Sequence, residues 1–230
     1  MINQKNCREW SYILVMLIPL FYAILIGTSM FFYAGGSFND PTSKGYTFWT
    51  NFLSDLGRTK ALSGRANTVS CILFSVNYLI FGTFIIPFLL ALPCLFSEND
   101  FQKKLSKIGS FFGIISALTL IGIALTPWDV YPELHGLFGG IQGFTIPVAF
   151  TLYSIVIYRN KSYPKQYAFL FIVILIIWII SAIISVSGVN MNTLEGLILL
   201  VIFQKITTFS TIFCLFVQAY GAWKLERSLK

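Results

Sequence analysis

The chain has 230 residues, of which 56% are hydrophobic and only 11% are charged, whereas a typical soluble domain carries about 25% charged residues. So few charges cannot cover the surface of a water-soluble fold of this size. One histidine and four scattered cysteines exclude a Cys/His zinc cluster and a disulfide framework, and no cofactor is predicted. The net charge of +7 is typical of the cytoplasmic loops of a membrane protein, so no nucleic-acid partner is predicted.

Six apolar segments are long enough to cross a bilayer, since a spanning helix needs about 20 residues. The first is too long for the apolar core of a cleavable signal peptide. We predict an all-α integral membrane protein, a single domain built as a six-transmembrane-helix bundle. The predicted spans cover residues 10–33, 66–96, 108–126, 137–158, 167–187 and 197–223. Small residues allow close helix packing, which is the predicted role of Gly109, Gly113, Gly136, Gly139, Gly140 and Gly143.

The basic residues are distributed unevenly among the loops. Because cytoplasmic loops carry the excess of Lys and Arg, we predict that the N- and C-termini are both cytoplasmic. Eleven basic residues lie on the predicted cytoplasmic side, at Lys5, Arg8, Lys103, Lys104, Lys107, Arg159, Lys161, Lys165, Lys224, Arg227 and Lys230. The predicted outer side holds Lys44, Arg58, Lys60 and Arg65.

The first outer loop, residues 34–65, is long enough to have structure of its own. Apolar residues recur at helical spacing between Tyr46 and Gly57, which predicts a short amphipathic helix at the outer leaflet. Gly57 is predicted to cap the C-terminus of that helix. Its apolar positions are Phe48, Trp49, Phe52, Leu53 and Leu56.

Polar side chains within the predicted spans concentrate on the outer side. Asn77 lies in the second span, His135 and Gln142 at the fourth, and Lys205 in the sixth. Amides and charges are costly in hydrocarbon, and those that occur there have a partner or a function. The inner halves of the spans offer few polar groups, so the pattern predicts a pocket open to the outer leaflet rather than a pore through both leaflets.

Lys205 is predicted near the bilayer midplane, where an unpaired ammonium is untenable. Two interpretations are open: the lysine binds the headgroup of a substrate, or it forms an ion pair with Asp55, Asp129 or Glu195. Glu195 follows Asn192 by three residues, which is the spacing of a capping box at the start of the sixth span.

Ser54, His135 and an acid supply the groups of nucleophilic catalysis. Ser54 would attack, His135 would take its proton, and Asp129 or Asp55 would orient the imidazole ring. The spacing matches no established nucleophile motif. Two other interpretations of His135 stay open, an anchor at a helix end or interface and a metal ligand beside nearby acids. No ligand spacing fits a metal, so no metal site is predicted.

A short motif in the long loop resembles a known family. The run from Asn51 to Gly57, Asn-Phe-Leu-Ser-Asp-Leu-Gly, follows the first span and precedes a span that begins near Asn67. This arrangement resembles the signature of the six-span domain-of-unknown-function 998 proteins of archaea and bacteria. The Ser-Asp-Leu-Gly core is also similar to the equivalent loop of the Frag1/DRAM/Sfk1 membrane proteins, some of which act in lipid remodelling or autophagy.

The resemblance covers the six-span plan and essentially the whole chain. It implies a location in the plasma membrane of a prokaryote. The family positions that carry over to this sequence are Ser54, Asp55 and Gly57, together with His135 in the outer turn. The resemblance implies a fold and a face of the protein, while the first family has no settled activity.

Two functions of different classes are consistent with these residues. The first is a lipid-active hydrolase or transferase in the outer leaflet, and the second is a non-catalytic membrane protein that binds a lipid or a protein partner. A transporter of a small solute or lipid is third, because the inner halves offer no polar relay. A membrane lipid is the predicted partner, and the substrate and oligomeric state stay open. The predicted catalytic residues are Asp55, His135, Ser54 and Asp129, and the predicted substrate-binding residues are Arg58, Lys205, Asn77, Gln142 and Glu195.

Overall fold

Six long α-helices contain most of the residues that the computed structural model describes, which are 4–96 and 99–228. Each helix is long and apolar enough to cross a membrane, and no strand occurs in the described ranges. The predicted all-α class with six spanning helices is confirmed. In chain order the helices are α1 (Gln4–Phe32), α2 (Thr68–Ala91), α3 (Asp100–Leu125), α4 (Pro132–Arg159), α5 (Gln166–Val186) and α6 (Leu194–Ser228).

Several helices extend beyond the predicted apolar spans into polar sequence. α3 begins well before residue 108, because the side chain of Asn99 caps its first turn by accepting hydrogen bonds from the backbone N–H groups of Phe101 and Gln102. α6 likewise continues past residue 223 to Ser228. Hydropathy marks only the part of a helix that suits hydrocarbon, so it misses polar turns at the helix ends.

The six helices form a closed ring, since each packs mainly against its neighbours in the chain and α6 packs back on α1. At this seam the guanidinium of Arg8 forms an ion pair of 2.7 Å with Glu226, and the hydroxyl of Tyr12 donates to the same carboxylate over 3.4 Å. The start of α1 and the end of α6 therefore lie on one side, the termini face, and the opposite side is the long-loop face. The cytoplasmic position of the termini stays a prediction, and Lys230 lies outside the described residues.

The helix predicted in the long loop is shorter than expected. A 3-10 helix covers only Leu53–Gly57, and the stretch before it forms turns. The side chain of Asn51 satisfies the backbone of these turns, because it accepts from the N–H of Thr47 over 2.9 Å and donates to the carbonyl of Gly36 over 2.9 Å. Side-chain bonds of this kind compete with helix formation.

Gly57 ends the 3-10 helix, but it does not adopt the left-handed conformation of a capping glycine. Its lack of a side chain has a different use. The ring of Phe74 in α2 occupies the space that a Cβ atom would need, so the glycine allows the loop helix to pack closely on α2.

The glycines of α3 and α4 differ in their surroundings. A Cβ atom placed on Gly109 would contact Tyr153, and one placed on Gly113 would contact Leu89, so these two glycines allow close helix packing as predicted. A Cβ atom on Gly139, Gly140 or Gly143 would meet no atom within 4 Å. The prediction of close packing is therefore wrong for these three positions of α4.

Candidate functional site

A cavity of about 670 Å³ lies between the long loop and the long-loop-face halves of α2 to α6. Nine residues were predicted for the site, and the structure brings five of them together. Ser54, Asp55 and Arg58 line the cavity from the loop, and His135 and Gln142 line it from α4. The residues that do not line it are Asn77, Asp129, Glu195 and Lys205.

Asp55 belongs to the 3-10 helix and is only 7% exposed. Its Oδ2 atom accepts hydrogen bonds from the backbone N–H of Phe52 over 2.8 Å and from the side chain of Asn51 over 3.3 Å. Oδ1 has no hydrogen-bond partner among the described residues. Burial raises the pKa of this carboxyl, although the two hydrogen bonds and the positive charges of Arg58 and Lys205 oppose the rise. Asp55 therefore holds a proton more readily than an exposed aspartate and can serve as a general acid.

His135 lies in the first turn of α4 and is 8% exposed. Its Nδ1 atom is 2.7 Å from the carbonyl oxygen of Thr126. Because a carbonyl only accepts hydrogen bonds, Nδ1 of the neutral ring must carry the proton, and Nε2 keeps its lone pair. Nε2 has no hydrogen-bond partner among the described residues and is not enclosed. The rings of Trp128 and His135 form a T-shaped pair with centroids 5.4 Å apart, so the imidazole is fixed in an orientation that leaves Nε2 able to accept a proton.

Arg58 and Ser54 present polar groups that the surrounding protein does not use. The Nε atom of Arg58 donates to the carbonyl of Lys60 over 3.2 Å, while its two terminal nitrogens have no acceptor within the described ranges. The hydroxyl of Ser54 makes no hydrogen bond to any described residue. A guanidinium with free terminal N–H groups is suited to a phosphate or carboxylate.

The predicted triad is not assembled, because neither Asp55 nor Asp129 bonds to His135, whose Nδ1 atom bonds to the carbonyl of Thr126 instead. Asp129 has a different role. Its carboxylate accepts hydrogen bonds from the N–H and hydroxyl of Thr59, over 2.9 and 2.6 Å, and from the N–H of Lys60 over 2.9 Å. Burial alone would raise the pKa of Asp129, but these hydrogen bonds hold it below its ordinary value. Asp129 thus attaches the long loop to the α3–α4 connection, and the carbonyl of Thr126 orients His135 instead.

Lys205 of α6 binds the backbone of the long loop through its ammonium group. Its side chain is 3% exposed, and its Nζ atom donates to the carbonyl oxygens of Phe48 over 2.6 Å and Asn51 over 2.5 Å. The rings of Phe48 and Tyr46 lie 4.7 and 5.3 Å from the ammonium. No carboxylate among the described residues lies within 4.0 Å of it, so the expected ion pair is not formed.

The two remaining predicted residues lie away from the cavity. Asn77 is buried in α2, and its Nδ2 atom has no partner in the described part of the chain. Glu195 is exposed near the start of α6. The capping box predicted there is wrong, because the cap is Thr193, whose hydroxyl accepts from the N–H of Gly196 over 3.2 Å.

Sequence reasoning did not assign a role to Gln204, which couples α6 to the loop. Its Oε1 atom accepts from the backbone N–H of Leu53 over 2.8 Å, so its amide NH₂ is left for the cavity that it lines. The sequence feature that could have identified Gln204 is its position as an amide side chain next to Lys205 within an apolar span. Trp178, Ser181 and Ser185 of α5 also line the cavity, and these serines interrupt the most apolar of the six helices.

An apolar chamber of about 100 Å³ adjoins the cavity on the side of the termini face. Its walls are mainly aromatic and aliphatic side chains of α2 to α6, and no charged residue among those described lines it. The two spaces together form a site that is polar near the long loop and apolar below it. Four residues line both spaces, namely Tyr78, Gln142, Trp178 and Thr208.

Comparison with known families gives a match that covers most of the chain. The family model described as a protein of unknown function, DUF998, matches residues 12–219. Comparison with curated proteins and with solved structures gives no significant match. The resemblance to the Frag1/DRAM/Sfk1 proteins is not shown by these comparisons.

Proposed function

The chain belongs to the DUF998 family, and from the geometry of its cavity we propose that it acts on a membrane lipid as a hydrolase or group transferase. One observation carries the proposal. The unbonded Nε2 of His135, the unbonded Oδ1 of Asp55 and the free terminal nitrogens of Arg58 belong to residues that line one cavity, and this cavity adjoins an apolar chamber.

A lipid fits this arrangement because its two ends need different surroundings. Arg58 would bind an anionic headgroup through two parallel N–H···O bonds, and the amide groups of Gln142 and Gln204 would donate to its other oxygens. The acyl chain would lie toward the apolar chamber, where no charge would have to be desolvated. Ligand sites are commonly of this kind, with mostly apolar walls and a few polar groups that fix orientation.

The chemistry would be acid–base catalysis. Water, or the hydroxyl of an acceptor, gives its proton to Nε2 of His135 while its oxygen bonds to the carbonyl carbon or phosphorus of the lipid. The bond to the leaving oxygen breaks, and this oxygen takes the proton of Asp55. Proton transfer by a positioned side chain contributes about 10²–10⁴-fold to a rate. Ser54 is the alternative acceptor if the reaction passes through a covalent intermediate.

The second candidate is a protein that binds a lipid without changing it. The observation that favours it is the absence of a hydrogen bond between Ser54 and any described residue, His135 included, together with the use of Asp129 as a loop clamp. Transport is not favoured, because a relay through both leaflets needs polar groups and no charged side chain among the described residues lines the apolar chamber.

We place the protein in the plasma membrane of a prokaryote, with the termini face in the cytoplasm and the cavity open toward the outer leaflet. The excess of Lys and Arg at the termini and in the second and fourth loops supports this orientation.

The experiment is to identify by mass spectrometry the lipids that copurify with the protein and then to incubate the protein with them. We expect turnover that is lost in His135→Ala and Asp55→Asn. Thr151→Ala is the matched control, because this exposed threonine bonds only to the carbonyl of Pro147 in its own helix. No turnover of any membrane lipid, with lipid retained by both cavity variants, would replace the enzyme by the non-catalytic candidate.

A further inference from the structure

The long-loop-face halves of α4 and α5 are poorly packed compared with their other halves. In α4 no residue is buried between His135 and Thr145. In α5 the buried residues end at Ile174, and the rest of the helix to Val186 has none. These halves still contact their other neighbours, since Phe138 of α4 packs on Gly122 of α3 and Trp178 of α5 donates to Thr211 of α6, but no residue within them is buried.

The cavity extends between these two halves. Gly136 and Gly139 line it from α4, and Ser181 and Ser185 line it from α5. Three of these four residues are also exposed to the outside, namely Gly136, Gly139 and Ser185. A residue that both lines a cavity and is exposed marks an opening in its wall, so these three residues mark a sideways opening between α4 and α5. Three other lining residues, Phe38, Trp128 and Met191, are also exposed and mark a second opening at the long-loop face.

Glycine keeps this opening wide. The glycine stripe of α4 consists of Gly136, Gly139, Gly140 and Gly143, and a Cβ atom on any of the last three would meet no atom within 4 Å. Glycine inside a helix costs about 0.5–1 kcal/mol relative to alanine. Helix packing does not offset this cost here, since none of these three glycines touches another helix.

Two buried polar side chains indicate what the opening admits. Asp55 and His135 are each more than nine-tenths buried and line the same cavity, and each has an atom without a hydrogen-bond partner in the described part of the chain. These atoms call for a polar group of a ligand. The face of α5 turned away from the cavity carries exposed aliphatic residues such as Ile179 and Ile183, so the helix beside the opening suits hydrocarbon. The ligand that satisfies both is amphiphilic.

We infer that a lipid enters the cavity directly from the bilayer, its acyl chain passing through the gap between the long-loop-face halves of α4 and α5 with the glycine stripe as one wall. This inference rests on the proposed function, because the gap would be the entry route of the lipid on which the protein is proposed to act. A second copy of the chain is the competing occupant, since the glycines at 136 and 140 and at 139 and 143 have the four-residue spacing of helix dimers in membranes.

The test compares leucine substitutions in protein reconstituted into vesicles of dioleoylphosphatidylglycerol. Gly139→Leu and Gly143→Leu place a side chain in the gap. Gly27→Leu is the matched control, because Gly27 is also an exposed glycine of a spanning helix with no atom near its Cβ position. Exchange of bound lipid for an isotope-labelled copy is followed by native mass spectrometry, with melting temperatures to identify any misfolded variant.

We expect lipid exchange to slow by about tenfold or more in Gly139→Leu and Gly143→Leu and to be unchanged in Gly27→Leu. Gly143 does not line the cavity, so the fraction of Gly143→Leu protein that holds a lipid at equilibrium should equal that of the wild type. Exchange as fast as in the control would overturn the route and leave the proposed function standing. A wild-type dimer that Gly139→Leu converts to a monomer would assign the stripe to an interface between copies. If the wild type holds no lipid that Arg58→Ala releases, the proposed function itself is wrong.

Discussion

The ammonium of Lys205 donates a hydrogen bond of 2.6 Å to the backbone carbonyl oxygen of Phe48, which lies 157 residues earlier in the chain. A cation within an apolar span is therefore stabilised by the backbone of a loop and by aromatic faces rather than by a carboxylate. This contact explains how the long loop stays seated over the cavity, since the same nitrogen also binds the carbonyl of Asn51.

We expect Lys205→Met to destabilise the protein by about 1–3 kcal/mol, because the carbonyl oxygen of Phe48 loses its donor and an unsatisfied buried acceptor costs about that much. The carbonyl oxygen of Asn51 keeps the hydroxyl of Tyr46 as a donor. Thermal unfolding in detergent measures the loss, and hydrogen exchange should increase over residues 46–57. Lys60→Met, at an exposed lysine of the same loop, is the control. Unchanged stability with lost lipid binding would instead make Lys205 a headgroup ligand.

His135→Ala should lower kcat for the copurified lipid by about 10²–10⁴-fold with little change in KM, because a general base acts mainly in the transition state. Ser54→Ala separates the two possible nucleophiles. Turnover that survives Ser54→Ala assigns the attack to water or an acceptor hydroxyl, whereas equal losses in the two variants assign it to the serine. A His135→Ala enzyme with full activity would remove the base from the mechanism.

Asp55 should make stability depend on pH in an unusual direction. Its pKa is raised by burial above the ordinary value of 3.8, so the folded state binds the proton more tightly than the unfolded state. Stability therefore decreases as pH rises from that ordinary value to the folded pKa and is level above it. We expect the melting temperature of the wild type to fall across this window relative to that of Asp55→Asn.

Asp40 provides the opposite control in the same loop. Its pKa is lowered by hydrogen bonds from the hydroxyl and N–H of Thr42, so its contribution to stability is present above the unfolded pKa and is lost as pH falls. Asp40→Asn should thus differ from the wild type with the reverse slope. Equal slopes for the two variants would contradict the different environments of the two carboxylates.

Asp129→Ala should release the long loop from the α3–α4 connection. The substitution removes the acceptor of the N–H groups of Thr59 and Lys60. These bonds are exposed, so water replaces the carboxylate and the loss of stability should be about 0.5–1.5 kcal/mol. Limited proteolysis should then cut the loop faster than in the wild type. Glu133→Ala, an exposed acid nearby, is the comparison, and equal cutting of both variants would show that the clamp is unimportant.

The predicted orientation can be tested with native and introduced cysteines. Cys7 is exposed on the termini face, and Lys44 is exposed on the opposite side. In a background with the other cysteines replaced by serine, a membrane-impermeant maleimide should label Lys44→Cys in intact cells and Cys7 only after permeabilisation. The reverse pattern would invert the topology.

The fold could be predicted from the sequence because apolar length is a property of each segment by itself. The site could be predicted only in part. Ser54 and Asp55 lie together in one motif, and His135 was the only histidine, so their importance followed from local features. The hydrogen-bond partners of these residues could not be predicted. The partner of His135, for example, is a backbone carbonyl, and every residue has one whatever its side chain.

The same limit applies to residues of one type with different roles. Gly113 and Gly139 both lie in spanning helices beside small or apolar residues, yet Leu89 packs on the first and nothing packs on the second. Likewise the acids that Lys205 was expected to meet are bound elsewhere or exposed. Such differences depend on which helices are neighbours in the ring, and the sequence of a single helix does not contain that information.

The seam between α1 and α6 also constrains how the protein can be assembled. α1 is synthesised before α6, so its Arg8 and Tyr12 are paired only after Glu226 of α6 has been made. The cavity wall likewise lacks Gln204 until that last helix arrives. A chain that stops after α5 would hold an open arc of helices, so the addition of α6 closes the ring and completes the cavity wall in one step.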